Sequence, residues 1–220
     1  MSIFKRINFQ QILIEHSIEN HKVYVNKMEE FLESEIDGFN KRFEEETNGW
    51  SEEQKDEYGE YLSDDYWTLA ETHPSLLRSS MLISSFSLFE KGLKDLANYY
   101  EKKIITSSDY SSNIKTTSKI SIYLKRIEKK FGVDFSGEIS EWNLIQNYYR
   151  EVRNIIVHDG GEIDTSRYSE KIKFIEEMGV KIKQPSGELI LQKGFCLNYL
   201  EVISMFFQKF FNLIDNQRQD

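Results

Sequence analysis

Three residues that could act together chemically occur within a short stretch of the chain, at Arg153, Asn154 and His158. Asn154 and His158 are four residues apart, so on a helix their side chains project from the same face. His158 falls in the last predicted turn of that helix, where the negative end of the helix dipole favours a protonated imidazole. This placement suits a group that exchanges a proton near neutral pH. The alternative is a histidine that caps the helix beside solvated arginines.

The helix that carries these residues is predicted over about 138–158, and the glycine pair after Asp159 ends it. Its predicted apolar face contains Ile145, Tyr148, Tyr149, Val152, Ile155 and Ile156. Its opposite, polar face contains Asn147, Arg150, Asn154 and His158. Arg153 lies at the border, and its long side chain can reach towards the polar face. We therefore expect the polar group to face away from the core.

The rest of the sequence lacks the common patterns of catalytic and metal-binding residues. The sequence contains no glycine-rich phosphate loop, no Cys or His pairs at zinc spacing and no Gly-x-Ser-x-Gly turn. We therefore expect no metal and no cofactor. His16, His21 and His73 have no partner that the sequence identifies, which favours structural or exposed positions. Cys196, the single cysteine, has aromatic and apolar neighbours, which predicts a buried thiol in a protein from a reducing compartment.

Charge is distributed unevenly along the chain. The formal net charge is −9, but residues 29–71 hold 16 acidic and 3 basic residues, so the rest of the chain carries +4. This acidic segment is expected to be a solvated outer layer, an oligomerisation arm or a cover over a basic cleft. Residues 102–130 hold 8 basic and 2 acidic residues. The basic patch comprises Lys115, Lys119, Lys125, Arg126, Lys129 and Lys130, and it is either an ordinary solvated face or a nucleic-acid contact.

Composition and hydrophobic periodicity predict an all-α fold around one core. The 220 residues include only two prolines, and helix-forming residue types fill long stretches. A helix, or two helices joined near Gly38, is predicted over about 8–46. Its apolar positions include Ile12, Val23, Phe31, Phe39 and Phe43. The next helix begins at Ser51 with a capping pattern, and His73 and Pro74 are expected to interrupt it.

The remaining elements follow from similar patterns. A core helix over about 74–103 is predicted from an apolar stripe at three- and four-residue steps, which contains Leu82, Phe86, Phe89, Leu93, Leu96, Ala97 and Tyr100. Further helices are expected through Leu124, over about 166–178 and over about 195–215, with a polar loop over about 106–118. Two short apolar runs flank Gln184-Pro185-Ser186-Gly187 and predict a small β-hairpin at about 180–192.

No stretch reaches the roughly 18 apolar residues of a membrane span, and the first residues do not form a long apolar signal segment. We therefore expect a cytoplasmic protein without a membrane partner. We also expect two parts of the chain, an acidic N-terminal helical extension over residues 1–73 and a helical core over residues 74–220 that includes the hairpin.

The segment Arg153-Asn154-Ile155-Ile156-Val157-His158, followed by Asp159-Gly160-Gly161, resembles the signature of HEPN-domain proteins. That signature is an arginine, usually followed by a polar residue, with four to six residues before a histidine near the end of a helix. The stretch Ser84-Ser85-Phe86-Ser87-Leu88-Phe89-Glu90 is similar to the Phe-Glu-bearing helix of many family members. The resemblance covers roughly residues 74–158, and the hairpin and the residues before Pro74 have no assigned counterpart.

The resemblance implies an antiparallel helical bundle that dimerises so that two motifs meet in one cleft. It further implies a metal-independent endoribonuclease, acting as a toxin or an antiphage defence effector, whose product carries a 2′,3′-cyclic phosphate. In such a site His158 would be the general acid or base, Arg153 would hold the phosphate, and Asn154 would orient phosphate or imidazole. Glu90 and Arg150 would support them, with Glu90 either pairing with Arg153 or forming an ordinary salt bridge.

These implications leave two functions open. The first is the ribonuclease, whose partners would be RNA, a second copy of the chain, and a cognate antitoxin or another defence protein. The second is a non-catalytic HEPN-like module that binds a nucleotide, RNA or a protein through the same face. The overall acidity favours the binding module slightly, because a net charge of −9 repels RNA unless the cleft itself is basic. An unrelated helical protein with an accidental Arg-to-His spacing is the remaining alternative.

Overall fold

Helices form most of the structure, and a computed structural model describes them over residues 9–102, 118–164 and 169–216. The helices are α1 (Phe9–Glu46), α2 (Glu52–Tyr61), α3 (Ser63–Trp67), α4 (His73–Lys102), α5 (Lys119–Phe131), α6 (Phe135–Glu138), α7 (Ser140–Leu144), α8 (Arg150–His158), α9 (Ser169–Glu177) and α10 (Phe195–Asn216). Two strands, β1 (Val180–Lys183) and β2 (Glu188–Leu191), form the antiparallel hairpin. The predicted all-α fold with a small hairpin is confirmed. Lys115 and most of the predicted polar loop lie outside the described residues.

The ends of several helices are set by local capping. Ser51 and Gln54 form a capping box at the start of α2, as their spacing predicts. At the start of α5 the Ser118 side chain accepts a hydrogen bond from the Ser121 backbone amide. Gly132 then ends α5 in the left-handed conformation, with φ +68°. Residue types that are visible in the sequence therefore fix the start of α2 and both ends of α5.

The core forms around α10, whose buried side chains include five phenylalanines, one tyrosine and one leucine. The buried residues of α10 are Phe195, Cys196, Tyr199, Leu200, Ile203, Phe206, Phe207, Phe210, Phe211 and Ile214. α10 packs against α1, α4 and α7. Every residue of the apolar stripe predicted for α4 is buried in the same cluster. The periodicity of α4 thus reflects its central position beside α10.

The interruption predicted at His73 and Pro74 is wrong. The chain stays helical from Ser63 to Lys102, and a π-helical turn over Thr68–Thr72 joins α3 to α4. The His73 amide donates to the carbonyl of Thr68, five residues earlier. This wider turn leaves room for the proline ring, which in a regular helix would clash with the carbonyl four residues before it. The proline is therefore accommodated within a continuous helix.

The first helix is unbroken through Gly38, so the single-helix alternative is confirmed. Its buried positions are Ile18, Val25, Glu29 and Leu32. By contrast, Ile12, Val23 and Phe31 are exposed although the sequence places them among the apolar positions of α1. Ile18 and Val25 belong to the same core cluster as α4 and α10. Residues before and after Pro74 therefore share one hydrophobic core.

Beyond Leu32 the chain forms an arm, which we define as residues 33–67: the second half of α1, α2 and α3. Thr47 is the one buried residue in this range. Aromatic rings hold its helices together, with Phe39 and Tyr66 centred 5.5 Å apart and Phe43 and Tyr58 centred 5.9 Å apart. The arm contains 13 acidic and 3 basic residues, a net charge of −10. Residues 33–67 of the acidic segment are thus largely exposed to solvent, and aromatic contacts join their helices.

No helix within the described ranges combines the length and the apolar character that crossing a bilayer requires.

Candidate active site

The predicted site lies on one continuous helix that runs from Ser140 to His158. Within it, residues Ile145–Tyr149 form a π-helical turn between α7 and α8. Val152 and Ile155 are buried in the core, and Arg153 and Asn154 are half-buried on the adjoining side. The core contacts of α8 therefore fix the direction in which the polar group projects.

Arg153 and Asn154 are brought together. Nη1 of Arg153 donates a hydrogen bond of 3.0 Å to Oδ1 of Asn154. The guanidinium carbon lies 5.7 Å from the centroid of the Phe86 ring on α4, within range of a cation–π contact. Nε of Arg153 is buried and has no hydrogen-bond partner within the described residues. The arginine is thus held between an aromatic ring and an amide rather than by a carboxylate.

The ring under Arg153 is itself fixed by the core. Phe86 stacks on Tyr199 of α10 with centroids 6.0 Å apart and an interplanar angle of 9°. Tyr199 in turn contacts Tyr149, with centroids 4.8 Å apart. Burial, with a smaller contribution from Cys196, raises the pKa of Tyr149 to about 12, and burial raises that of Tyr199 well above its ordinary value. Both phenols stay neutral, so the arginine rests on a neutral aromatic stack.

His158 is the last residue of α8, and its side chain is exposed. Among the described residues no hydrogen bond joins it to Arg153 or Asn154. The helix ends immediately afterwards, where the amides of Asp159 and Gly161 both donate to the Ile155 carbonyl at 3.0 Å. Gly161 has φ +85°, a conformation that glycine adopts readily. The imidazole therefore projects into solvent at a helix end with a defined backbone.

The hairpin fixes the backbone after His158. The Ile163 amide donates to the Gly187 carbonyl at 2.9 Å, and the Leu189 amide donates to the Gly161 carbonyl at 2.8 Å. Gly187 has φ +75°, and a Cβ atom placed there would lie 2.5 Å from the Ile163 carbonyl oxygen. The sequence predicts the hairpin and its glycine turn but gives no sign of this contact. The hairpin is thus a positioning element of the site that sequence reasoning missed.

Arg150, the predicted supporting arginine, contacts two residues of its own continuous helix. Its Nη1 donates a 2.6 Å hydrogen bond to Oε1 of Gln146, and Nη2 lies 3.3 Å from a carboxylate oxygen of Glu151. Gln146 is buried and donates through Nε2 to the Ser121 hydroxyl at 2.8 Å. Gln146 therefore joins this helix to α5 and holds Arg150, and Gln146 and Ser121 are further supporting residues that the helical periodicity could not identify.

Glu90 does not pair with Arg153, since no ion pair joins these two side chains within the described residues. Glu90 is half-buried on α4, one helical turn after Phe86. The guanidinium lies over the Phe86 ring, at the earlier turn. The aromatic ring thus occupies the place that the sequence analysis gave to the carboxylate.

Exposed positive charge is found on α5. Lys119, Lys125, Lys129 and Lys130 are exposed on this helix. Ser121, which accepts the hydrogen bond from Gln146, lies in the first turn of the same helix. The lysines therefore extend from the helix that Gln146 contacts. Within the described part of the chain, no group of three or more His, Cys, Asp or Glu side chains could hold a metal ion.

Comparisons of the chain with family models, with curated proteins and with solved structures found no match.

Proposed function

We propose that this protein is a HEPN-type endoribonuclease that cleaves RNA without a metal ion and acts as a toxin or an antiphage defence effector. The observation that supports this proposal best is the preformed Arg153–Asn154 pair beside the exposed His158 at the end of α8. A fixed guanidinium and an accessible imidazole are the two groups that this chemistry needs.

In the proposed reaction the ribose 2′-oxygen attacks the adjacent phosphorus, and the bond from phosphorus to the 5′-oxygen breaks. The 2′-hydroxyl loses its proton to a base, and the leaving 5′-oxygen gains one from an acid. The products are a 2′,3′-cyclic phosphate and a 5′-hydroxyl. His158 takes one of these two proton-transfer roles, which contribute about 10² to 10⁴ in rate.

Arg153 stabilises the phosphorane that forms in this reaction. A guanidinium has five N–H donors, and the hydrogen bond to Asn154 uses one of them. The planar group can therefore still donate to two non-bridging phosphate oxygens. Contact with the Phe86 ring limits the rotamers open to Arg153, which lowers the entropic cost of holding the phosphate.

A single protomer supplies one His158, whereas the reaction needs both a base and an acid. A two-fold dimer that places two motifs across its axis provides a second imidazole and a second guanidinium. RNA would follow the exposed lysines of α5 away from this cleft, which offsets the repulsion from a net charge of −9.

The test is incubation of the purified protein with total RNA in the presence of EDTA, followed by end-group analysis of the fragments. We expect the wild type to leave cyclic phosphates and His158→Ala to leave the RNA intact. His16→Ala is a matched control, because His16 is also an exposed helical histidine with an asparagine four residues away, at 3.1 Å. Equal cleavage by His158→Ala, or cleavage that EDTA abolishes, would contradict the proposal.

The second candidate function is a binding module for a nucleotide or RNA phosphate. It is favoured by one specific observation: within one protomer His158 is not hydrogen-bonded to Arg153 or Asn154. A binding module needs the guanidinium alone, so Arg153→Ala would weaken RNA binding while His158→Ala would not. Intact RNA after incubation with the wild type, together with this pattern of binding, would favour the module over the ribonuclease.

A further inference from the structure

A groove that the proposed reaction does not use runs between α1 and the continuous helix that contains α4. It encloses about 520 Å³. Its lining consists of Phe31, Leu32, Glu35, Leu69, His73, Leu76, Leu77 and Ser80. The lining residues between 69 and 80 recur at three- and four-residue steps, so they form one face over about three helical turns, roughly 17 Å long. A volume of this size lies in the range of ligand-binding clefts.

The edges of the groove are apolar and exposed. Leu76 is 64% exposed and Phe31 is 53% exposed, although both are large hydrophobic residues. They lie on opposite walls, Phe31 on α1 and Leu76 on α4. Adjacent exposed apolar side chains that line a concave surface are typical of interaction sites. A partner that covers both would remove them from water together.

The groove is preformed because a salt bridge ties its walls together. Arg78 on α4 donates from Nε to Oε1 of Glu29 at 2.8 Å and from Nη2 to Oε2 at 2.7 Å. Both side chains are largely buried, and Arg78 also donates to the Leu191 carbonyl of the hairpin at 3.2 Å. A partner would therefore bind to rigid walls, with little loss of conformational entropy in this chain.

The negative charge around the groove indicates which kind of partner it binds. Glu35 lies in the lining, and it belongs to the arm, which has a net charge of −10. A polypeptide in this groove needs apolar side chains on one face and positive charge around them. The grooves that such helices occupy accept anchors at i, i+3 or i+4, and i+7, which matches a length of three turns.

A second copy of this chain does not offer such a helix from its described part. Its cationic amphipathic helix is α5, which contains five basic residues and one acidic residue. The apolar face of α5, formed by Ile120, Leu124 and Ile127, is already buried in its own core at 1–2% exposure. Freeing that face would require unfolding the bundle. The α5 helix of a second copy is therefore not the occupant.

We propose that this groove, together with the acidic arm, binds an amphipathic helix of a protein partner whose polar face is rich in lysine and arginine. The apolar side chains of that helix cover Phe31 and Leu76, and its basic residues face Glu35 and the arm. This interaction is independent of RNA cleavage, because it uses none of the residues placed in the active site.

The test uses three synthetic peptides of about 14 residues, four helical turns. One is a leucine–lysine peptide with an amphipathic pattern, one is its scrambled version with the same composition, and one is an amphipathic leucine–glutamate peptide. Binding to the full chain is measured by fluorescence anisotropy of the labelled peptide. We expect the amphipathic cationic peptide to bind at least tenfold more tightly than either of the others.

Substitutions in the groove then test whether the peptide binds there. We expect Leu76→Ser and Phe31→Ser each to weaken binding of the cationic peptide by about tenfold, and Glu35→Lys to weaken it as well. Met205→Ser is the matched control, because Met205 is 46% exposed on α10 and lies outside the groove, so this variant should bind normally. All of these residues are exposed, so the substitutions leave the core intact.

Three outcomes would overturn the proposal. One is the absence of binding by the cationic amphipathic peptide, or equal binding by its scrambled version. Another is binding that Leu76→Ser and Phe31→Ser do not change. The last is self-association of the wild type, measured by sedimentation velocity, that Leu76→Ser abolishes, because it would identify a second copy as the occupant.

Discussion

Replacing Gly187 with alanine will loosen the backbone that follows His158. Gly187 has φ +75°, and an alanine Cβ would lie 2.5 Å from the Ile163 carbonyl oxygen. Backbone atoms cannot move aside as the end of a flexible side chain can. The hairpin must therefore separate from the segment 161–163, and the hydrogen bond from the Ile163 amide to the Gly187 carbonyl is lost.

The expected cost has two parts. A side chain in the left-handed conformation costs about 1–2 kcal/mol. The two hydrogen bonds between the hairpin and residues 161–163 each contribute about 0.5–1.5 kcal/mol net, so losing them adds about 1–3 kcal/mol. The free energy of unfolding should therefore fall by about 2–5 kcal/mol in Gly187→Ala.

Gly194→Ala is the matched control. Gly194 has φ +89°, but nothing lies within 4 Å of the position where its Cβ would be. This variant should lose only the conformational part, about 1–2 kcal/mol. Urea unfolding followed by tryptophan fluorescence gives both free energies, and hydrogen exchange at the Ile163 and Leu189 amides locates the effect. Exchange at these two amides should accelerate in Gly187→Ala alone.

Equal losses of stability in the two alanine variants would refute this reasoning, because the contact with Ile163 would then cost nothing beyond the backbone conformation. Unchanged protection of the Ile163 amide in Gly187→Ala would refute it independently, since the hairpin would not be what fixes the end of α8.

Three further predictions concern the core. Arg78→Met leaves the Glu29 carboxylate buried without its partner, so the free energy of unfolding should fall by about 3–5 kcal/mol. A double-mutant cycle with Glu29→Leu in which the two substitutions are additive would disprove the pairing. Burial raises the pKa of Cys196 to about 12, so a thiol reagent at pH 8 should modify the protein only after unfolding in urea; rapid modification of the folded protein would contradict this. Burial alone would raise the pKa of Glu141, but hydrogen bonds from Lys209 at 2.6 and 2.8 Å, from its own backbone amide and from Ser140 together lower it below its ordinary value. The stability that this carboxylate contributes is complete above its unfolded pKa and is lost as pH falls through the folded pKa. Below about pH 5, the free energy of unfolding should therefore change less steeply with pH in Glu141→Gln than in the wild type.

Local patterns in the sequence predict the elements that pack on one side only. The stripe of α4 is buried in full because that helix packs against α1, α5, α8 and α10. The predicted burial of the Cys196 thiol is also confirmed, since its residue is 1% exposed. Gly132 ends α5 as its position after the apolar pattern indicates. In each of these cases the pattern that carries the signal lies within one helix or its end.

The long first helix shows why other features escape such an analysis. Apolar residues occur all around α1, and only contact with α4 and α10 selects Ile18, Val25 and Leu32 for burial. Glu29 shares that buried line because its partner Arg78 lies 49 residues further along the chain. Neither choice is encoded in the periodicity of α1 itself.

One part of the candidate site can be predicted from the sequence, and the other part depends on tertiary packing. The order Arg153, Asn154 and His158 on one helix is visible in the sequence, whereas the ring beneath Arg153 depends on how α8 crosses α4. The expected carboxylate at Glu90 and the observed ring at Phe86 differ by one helical turn. Only the three-dimensional packing of two helices decides between such neighbours.

The hairpin and α10 come after the motif in the chain, and this order matters during synthesis. Ribosomes deliver a polypeptide from its N-terminus, so Arg153 and His158 emerge before the strands that fix residues 161–163 and before Tyr199, on which Phe86 stacks. A nascent chain that ends before Val180 contains the whole motif but none of the contacts from β2 and α10 that position it. The geometry of the site is therefore completed only when α10 has been made.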